Sequence, residues 1–252
     1  MYPLPVNDLR AAYWEELARR EPYFRVLTHE GAVESGGDRQ SVEAFFETGE
    51  ADVVSLLEAI ASLAGHPVSL SSTLDFGCGA GRLTLPLARR SASIVACDIA
   101  PTMLVHARRN TERAGLNNVT FIESADLAQL PDASFDFICS LLVLQYIPAT
   151  AGYAILRELL RTLAPGGIAA LHLMFRRPRP TRRPLATMAR LRKATGASRT
   201  RDAGDPFTAI NEYDRQTVLD EIEAADARCI GQFAADQGRA SGAVLVIERN
   251  RS

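Results

Sequence analysis

Leu74-Asp75-Phe76-Gly77-Cys78-Gly79-Ala80-Gly81-Arg82 is the stretch on which the fold turns. Three glycines at alternate positions follow an apolar run. The backbone there can turn sharply, and a ligand can approach with no Cβ in the way, at the amino end of the next helix. A dinucleotide pattern, G-x-G-x-x-G, would need its third glycine at position 82. That position is Arg82 and the third glycine is Gly81, so the nicotinamide register fails.

Working outward from the loop, short apolar strands alternate with helices. SLSSTLDF precedes it as a strand and AGRLTLPLARR follows as a helix. ASIVACD is a strand, PTMLVHARRNTERAG a helix opened by Pro101 and closed by Gly115, and NVTFIES a strand. SFDFICSLLVL, AGYAILRELLRTL (closed by Pro165-Gly166-Gly167) and IAALHLMF continue the alternation. A helix over Arg215–Ala225 and two strands, near Cys229–Ala234 and Ala243–Glu248, end it. Near-continuous apolar strands alternating with helices predict a Rossmann-like α/β domain, a seven-stranded, mostly parallel sheet with an antiparallel last strand. Residues 1–66 read as an N-terminal helical extension or lid, residues 67–252 as the ligand-binding domain, and residues 176–210 as an insertion after the fifth strand.

Composition narrows the class. The 252 residues are 47% hydrophobic and 23% charged with a net charge of −2, which excludes disordered, collagenous and coiled-coil chains. No apolar run approaches the ~20 residues of a membrane helix, and the first twenty residues lack the apolar core of a secretion signal, so the expected location is the cytoplasm. Cys78, Cys97, Cys139 and Cys229 are too widely spaced for a zinc site and read as reduced, buried small hydrophobes; no metal is expected. Charge is segregated: residues 176–201 hold ten Lys/Arg and no acid. That segregation suits an anionic partner or substrate, or packing on an acidic face.

Acids sit at the ends of the next strands. Asp98 and Ile99 follow the second, Ser124-Ala125-Asp126-Leu127 the third, and Cys139-Ser140-Leu141-Leu142 the fourth, all at the carboxyl edge where open α/β sheets bind ligands. An acid at the tip of the second strand is where a ribose can be held.

The run LDFGCGAGRLTLPLA, with Asp98, Asp126-Leu127, FDFICSLLVLQYIP and LLRTLAPGGIAALHLMF, resembles the class I S-adenosylmethionine (SAM)-dependent methyltransferases, over about residues 70–175 and, by topology, 210–250. The prefix YWEELARREPYFRVLT…AFFETGE is similar to that of bacterial small-molecule methyltransferases with the GCGxGR loop. The resemblance implies that Gly77, Gly79 and Gly81 line the methionine and ribose of SAM, and that Asp75 lies near the sulfonium and amino end. It gives the ribose to Asp98, the adenine amine to Asp126, an adenine nitrogen to the Leu127 amide and the SAM carboxylate to Arg82. Ile99, Ser140 and Leu141 complete the implied cofactor set, and S-adenosylhomocysteine is the implied product.

The acceptor is less legible. Methyl transfer from a sulfonium mainly requires alignment and exclusion of water, and a general base is optional. The chain lacks the N/D-P-P-Y/F run of amino methylases, the Pro-Cys thiol of cytosine C5 enzymes and the clustered acids of metal-dependent catechol enzymes. His172 and Tyr146 are the candidate catalytic groups; Gln145, Tyr146, Arg176 and Tyr213 the candidate acceptor contacts. Relatives often carry histidine where this chain has Tyr146. Trp14, Tyr23, Phe24, Phe45 and Phe46 could roof the pocket or simply pack helices onto the sheet. The arginine-rich insertion leaves three readings open: a small anionic or carrier-tethered acceptor, a surface loop, or RNA or DNA. The last is disfavoured because the segment has no base-stacking aromatics. The expected activity is methylation of a small molecule, with oxygen the favoured atom, by a monomer or homodimer. A SAM-fold cyclase, and a protein acting on RNA or a carrier-bound substrate, are the alternatives.

Overall fold

β1 (Ser72–Phe76), β4 (Phe135–Ser140) and β5 (Leu163–Phe175) are nearly continuous in buried residues, which strands covered on both faces require. In a computed structural model, which describes residues 8–23, 39–175, 209–235 and 241–251, these strands form the centre of a seven-stranded sheet. β2 (Ser93–Asp98) and β3 (Val119–Glu123) add on one side in parallel. β7 (Ser241–Arg249) runs antiparallel to both β5 and β6 (Ala227–Ala234), giving the order β3-β2-β1-β4-β5-β7-β6. The order reverses between β1 and β4, and the crevice outside their carboxyl ends is the ligand position of an open α/β sheet.

Helices cover both faces. On one, α5 (Ala149–Thr162) and α6 (Arg215–Ala224) bury Leu156, Leu159, Leu160, Val218 and Ile222 against the sheet. Asp214 caps α6 by accepting from the Thr217 amide at 2.9 Å. On the other, α2 (Arg39–Ala64) buries Val53, Leu56 and Ile60 with Leu83 and Leu87 around the short α3 (Thr84–Ala88). The second expected element of the N-terminal extension thus shares its core with the sheet. α4 (Pro101–Arg113) lies between β2 and β3, and α1 (Asp8–Arg20) rests on it.

Three local expectations shift. The fourth strand ends at Ser140, and Leu141–Val143 form a loop in which Leu142 takes φ 62°. The helix after the glycine loop contracts to Thr84–Ala88. α5 stops at Thr162, three residues before Pro165-Gly166-Gly167, because the chain enters β5 at Leu163 through an irregular β4–β5 register.

Candidate active site

The glycine loop is fixed from below. The Gly77 and Cys78 amides donate to the Cys97 carbonyl of β2 at 2.7 and 2.9 Å. Gly77, Gly79 and Gly81 take φ of 80°, 52° and 94°. The Gly79 amide donates to Asp98 Oδ2 at 2.8 Å and the Ala100 amide to Asp98 Oδ1 at 2.9 Å. Each oxygen keeps a lone pair for a ligand hydroxyl. Burial pushes the Asp98 carboxyl above its ordinary range, although the amides of Ala100 and Gly79 favour its charge. Asp75, at the end of β1, accepts from Thr84 Oγ1 at 2.6 Å, and burial pushes it up to about 6.

These groups open onto a cavity of about 1160 Å³, mouth included, at the carboxyl edge. Asp75, Gly77, Gly79, Asp98, Ile99 and Ser124 line one part. Leu141, Leu142, Val143, Tyr146 and Ile147 line another, with Ile155 of α5. α1 supplies the roof: Arg10, Trp14 and Leu17, at i, i+4 and i+7, face the cavity, and Phe45 joins them from α2. Trp14 contacts Tyr146 with ring centroids 5.4 Å apart.

The placement of the expected site residues divides them. Asp75, Gly77, Gly79, Arg82, Asp98, Ile99, Leu141 and Tyr146 are brought together around the cavity. Arg82 is already engaged, its Nη1 2.5 Å from Asp52 of α2, so it is not a free partner for a ligand carboxylate. Gly81 is not in the lining; it lets the loop approach Leu85 and Ala107. Asp126 and Leu127 lie in the 3-10 turn after β3, outside the lining, where Asp126 accepts from Gln129 at 2.8 Å and Leu127 is core. Ser140 and Gln145 are fully buried behind the cavity wall.

Two expectations are corrected. His172 is buried in β5, and its Nε2 donates to the Ala235 carbonyl at 3.0 Å; it lies outside the lining, turned toward the β6–β7 end, and is not placed as a base. Tyr213 is a pillar and not an acceptor contact: its buried hydroxyl lies 2.8 Å from the Leu144 carbonyl and 3.0 Å from that of Ile147, bracing the turn that carries Tyr146. Arg176, Phe24 and residues 176–208 of the expected insertion lie outside the described residues. Among the described residues no group of three or more His, Cys, Asp or Glu could hold a metal ion, and no helix is long and apolar enough to cross a membrane.

One clasp was not foreseen. α4 begins at Pro101 with Ala100 as its cap, which offers no side-chain acceptor. Glu15 of α1 serves instead, accepting from the Thr102 amide at 3.0 Å and from its hydroxyl at 2.5 Å. Burial pushes the Glu15 carboxyl up, but the Thr102 bonds and Arg19 outweigh it and hold the carboxyl below its usual range. A depressed carboxyl contributes stability above its unfolded pKa, ~4.3, and loses it as pH falls through the folded value. The clasp should therefore hold at neutral pH and loosen only in acid. Glu15→Ala should cost α1 docking about 1–2 kcal/mol at pH 7. It should shift Trp14 emission and speed proteolysis within α1 while the sheet stays folded. Unchanged emission and protease resistance would count against the clasp.

Comparison with known proteins bears on the domain and the fold. Residues 73–167 match the family model described as a methyltransferase domain. Trans-aconitate 2-methyltransferase of Methylobacterium nodulans is 37% identical over 151 residues, 56% of this chain and 53% of that protein. Carboxy-S-adenosyl-L-methionine synthase of Dichelobacter nodosus is 36% identical over 121 residues, 46% of this chain and 51% of its own. The chain thus spans about half the length of these curated relatives. Magnesium protoporphyrin IX methyltransferase of Synechocystis PCC 6803, solved with bound SAH, shares the fold: TM-score 0.61, 17% identity, covering 96% of this chain and 99% of that one. The sheet is that of the class I methyltransferase fold. Within it, residues 73–167 are similar to methyltransferase domains.

Proposed function

We propose that this protein is a methyltransferase that uses SAM to methylate a small-molecule acceptor, most naturally at oxygen, and releases S-adenosylhomocysteine. The observation that carries the reading is Asp98, clamped by the Gly79 and Ala100 amides inside a cavity that continues past the glycine loop into an apolar compartment. The site fits the cofactor. Gly79 lines the cavity and a Cβ there would meet nothing within 4 Å, so the glycine leaves open the space a ribose would take. In this reading Asp98 receives the ribose hydroxyls, and Asp75 offers negative charge to the cationic end. When bound, the sulfonium supplies an activated methyl group. Trp14, Leu17 and Tyr146 then orient the acceptor for in-line attack and exclude water. The partly enclosed, mostly apolar compartment suits a small molecule better than a polynucleotide.

Calorimetric titration of SAM, S-adenosylhomocysteine and NAD tests the reading. Micromolar binding of the first two, and none of NAD, is expected. Asp98→Ala should weaken both by about 1.5–3 kcal/mol through lost charge-assisted bonds, ten- to a hundredfold or more. Unchanged affinity in a folded variant would overturn the ribose assignment.

A further inference from the structure

The cavity has two halves of different chemistry, and α1 crosses from one to the other. Its later turns reach the glycine-loop half, where Glu15 holds the start of α4 and Ala18 packs with Ala80, Ala100 and Met103. On its other side Trp14 meets Tyr146. The acids of the lining follow the same division. Asp75 and Asp98 belong to the glycine loop, and Glu21 lies past the end of α1 on that side. The other half is walled by Leu141, Leu142, Val143, Ile147 and Ile155. Arg82 is paired with Asp52, and Arg10 is already engaged within the chain.

Two features of the apolar half bear on what it receives. Trp14 and Tyr146 stand with ring centroids 5.4 Å apart and planes tilted by 60°. Rings set at an angle leave faces and edges for a third ring, and aromatic contacts favour tilted or offset geometry over a face-to-face sandwich. Leu142 is the second feature. Its φ of 62° is left-handed backbone, which a bulky side chain adopts only at a cost. The side chain lines the cavity and is only half-buried, so core packing does little to offset that cost. Strain of this kind persists where the surroundings impose it, and it gathers at ligand sites. Here the imposing neighbours are Val143, on which Gly77 closes, and the turn braced by Tyr213.

We infer that this half receives an uncharged aromatic ring of the acceptor, and that Leu142 is held in its strained conformation to form the wall against which the ring lies. The inference rests on the reading of this cavity as a methyl-transfer site. It narrows the acceptor to uncharged aromatic molecules and makes Leu142 a specificity residue, separate from the cofactor contacts. A charged group placed here would leave water for apolar walls, at a cost that a neutral ring does not meet.

Trp14 is the chain's single tryptophan. Its emission, excited at the red edge of indole absorption where phenols do not absorb, therefore reports on this half. The full-length protein, saturated with S-adenosylhomocysteine, is titrated with 4-butylphenol and with its saturated counterpart, 4-butylcyclohexanol. Two charged counterparts, 4-(4-hydroxyphenyl)butyrate and 4-(4-aminobutyl)phenol, are titrated beside them. The phenol should bind about fivefold or more tightly than the saturated alcohol, and about tenfold or more tightly than either charged molecule. Leu142→Asn suits left-handed backbone but presents an amide. It should leave Tm unchanged or raise it, keep S-adenosylhomocysteine affinity within about twofold and weaken the phenol about tenfold or more. A counterpart that binds as tightly as the phenol, no saturation by the phenol at millimolar concentration, or a Leu142→Asn protein that keeps the phenol would overturn the inference. So would a fall in Tm, which would show Leu142 placed for packing and not for a ligand. Failure of the unaltered protein to bind S-adenosylhomocysteine would instead overturn the methyl-transfer reading itself, so the two failures are distinguishable.

Discussion

Gly77→Ala is expected to reduce SAM binding more than a hundredfold, the largest effect of any single substitution considered. Gly77 has φ 80°, where a Cβ costs about 1–2 kcal/mol. The added atom would also lie 2.2 Å from Val143 Cγ2 and 2.7 Å from Cγ1. The loops after β1 and β4 press together here, at the point where strand order reverses. Relief of the clash needs one of them to move, and overpacking of this kind costs about 1–3 kcal/mol. Val143 itself lines the cavity, so any movement reshapes the site. Val143→Ala should bind within a few-fold of the unaltered protein. Combined with Gly77→Ala, it should recover the overpacking part and leave the backbone strain, so the pair should be non-additive by about 1–2 kcal/mol. Calorimetry with S-adenosylhomocysteine, alongside thermal melting, measures both parts. Normal binding by Gly77→Ala would mean that the loop does not form the site.

Gly49→Ala should destabilise the fold although helix propensity alone argues the opposite. Gly49 lies inside α2, where alanine is worth about 1 kcal/mol over glycine. A Cβ there, however, would lie 2.1 Å from the Arg82 carbonyl oxygen and 2.9 Å from Arg82 Cγ. The helix rests directly on the loop, and backbone cannot yield as a side chain can. Moving α2 would also pull Asp52, one turn on, away from Arg82. A net loss of about 1–3 kcal/mol is expected, which at about 2–4 °C per kcal/mol is a fall in Tm of roughly 2–12 °C. A rise in Tm would show that α2 does not approach this closely.

Both arguments depend on contacts of different legibility. The glycine loop and Asp98 were readable because strand, turn and acid follow one another over a short stretch, and the turn needs residue types that announce themselves. The sheet, with its closing antiparallel hairpin, followed from the rhythm of apolar runs. His172 was misread for a related reason: in a strand buried on both faces, alternation no longer says which neighbour a polar side chain meets, and Ala235 took the hydrogen bond. Tyr213 faces inward, its hydroxyl on the Leu144 and Ile147 carbonyls, and nothing in its local sequence says which way an aromatic side chain turns. The Glu15–Thr102 clasp joins residues 87 apart and left no local mark. Two signals could have been used. Glycine inside the helical pattern of α2 pointed to a close backbone approach, and Arg10, Trp14 and Leu17 form a helical stripe whose first member is charged.

Cys78 lines the same cavity, between Gly77 and Gly79 of the loop. In the proposed function an alkylating agent is held beside a thiol, a pairing that invites the protein to modify itself. Only the thiolate is an effective nucleophile. Burial, then the charges of Asp98 and Asp75, push the Cys78 thiol well above its ordinary range. In that reading the carboxylates assigned to the cofactor also keep this thiol protonated, so an electrophile could be held beside it without alkylating the protein.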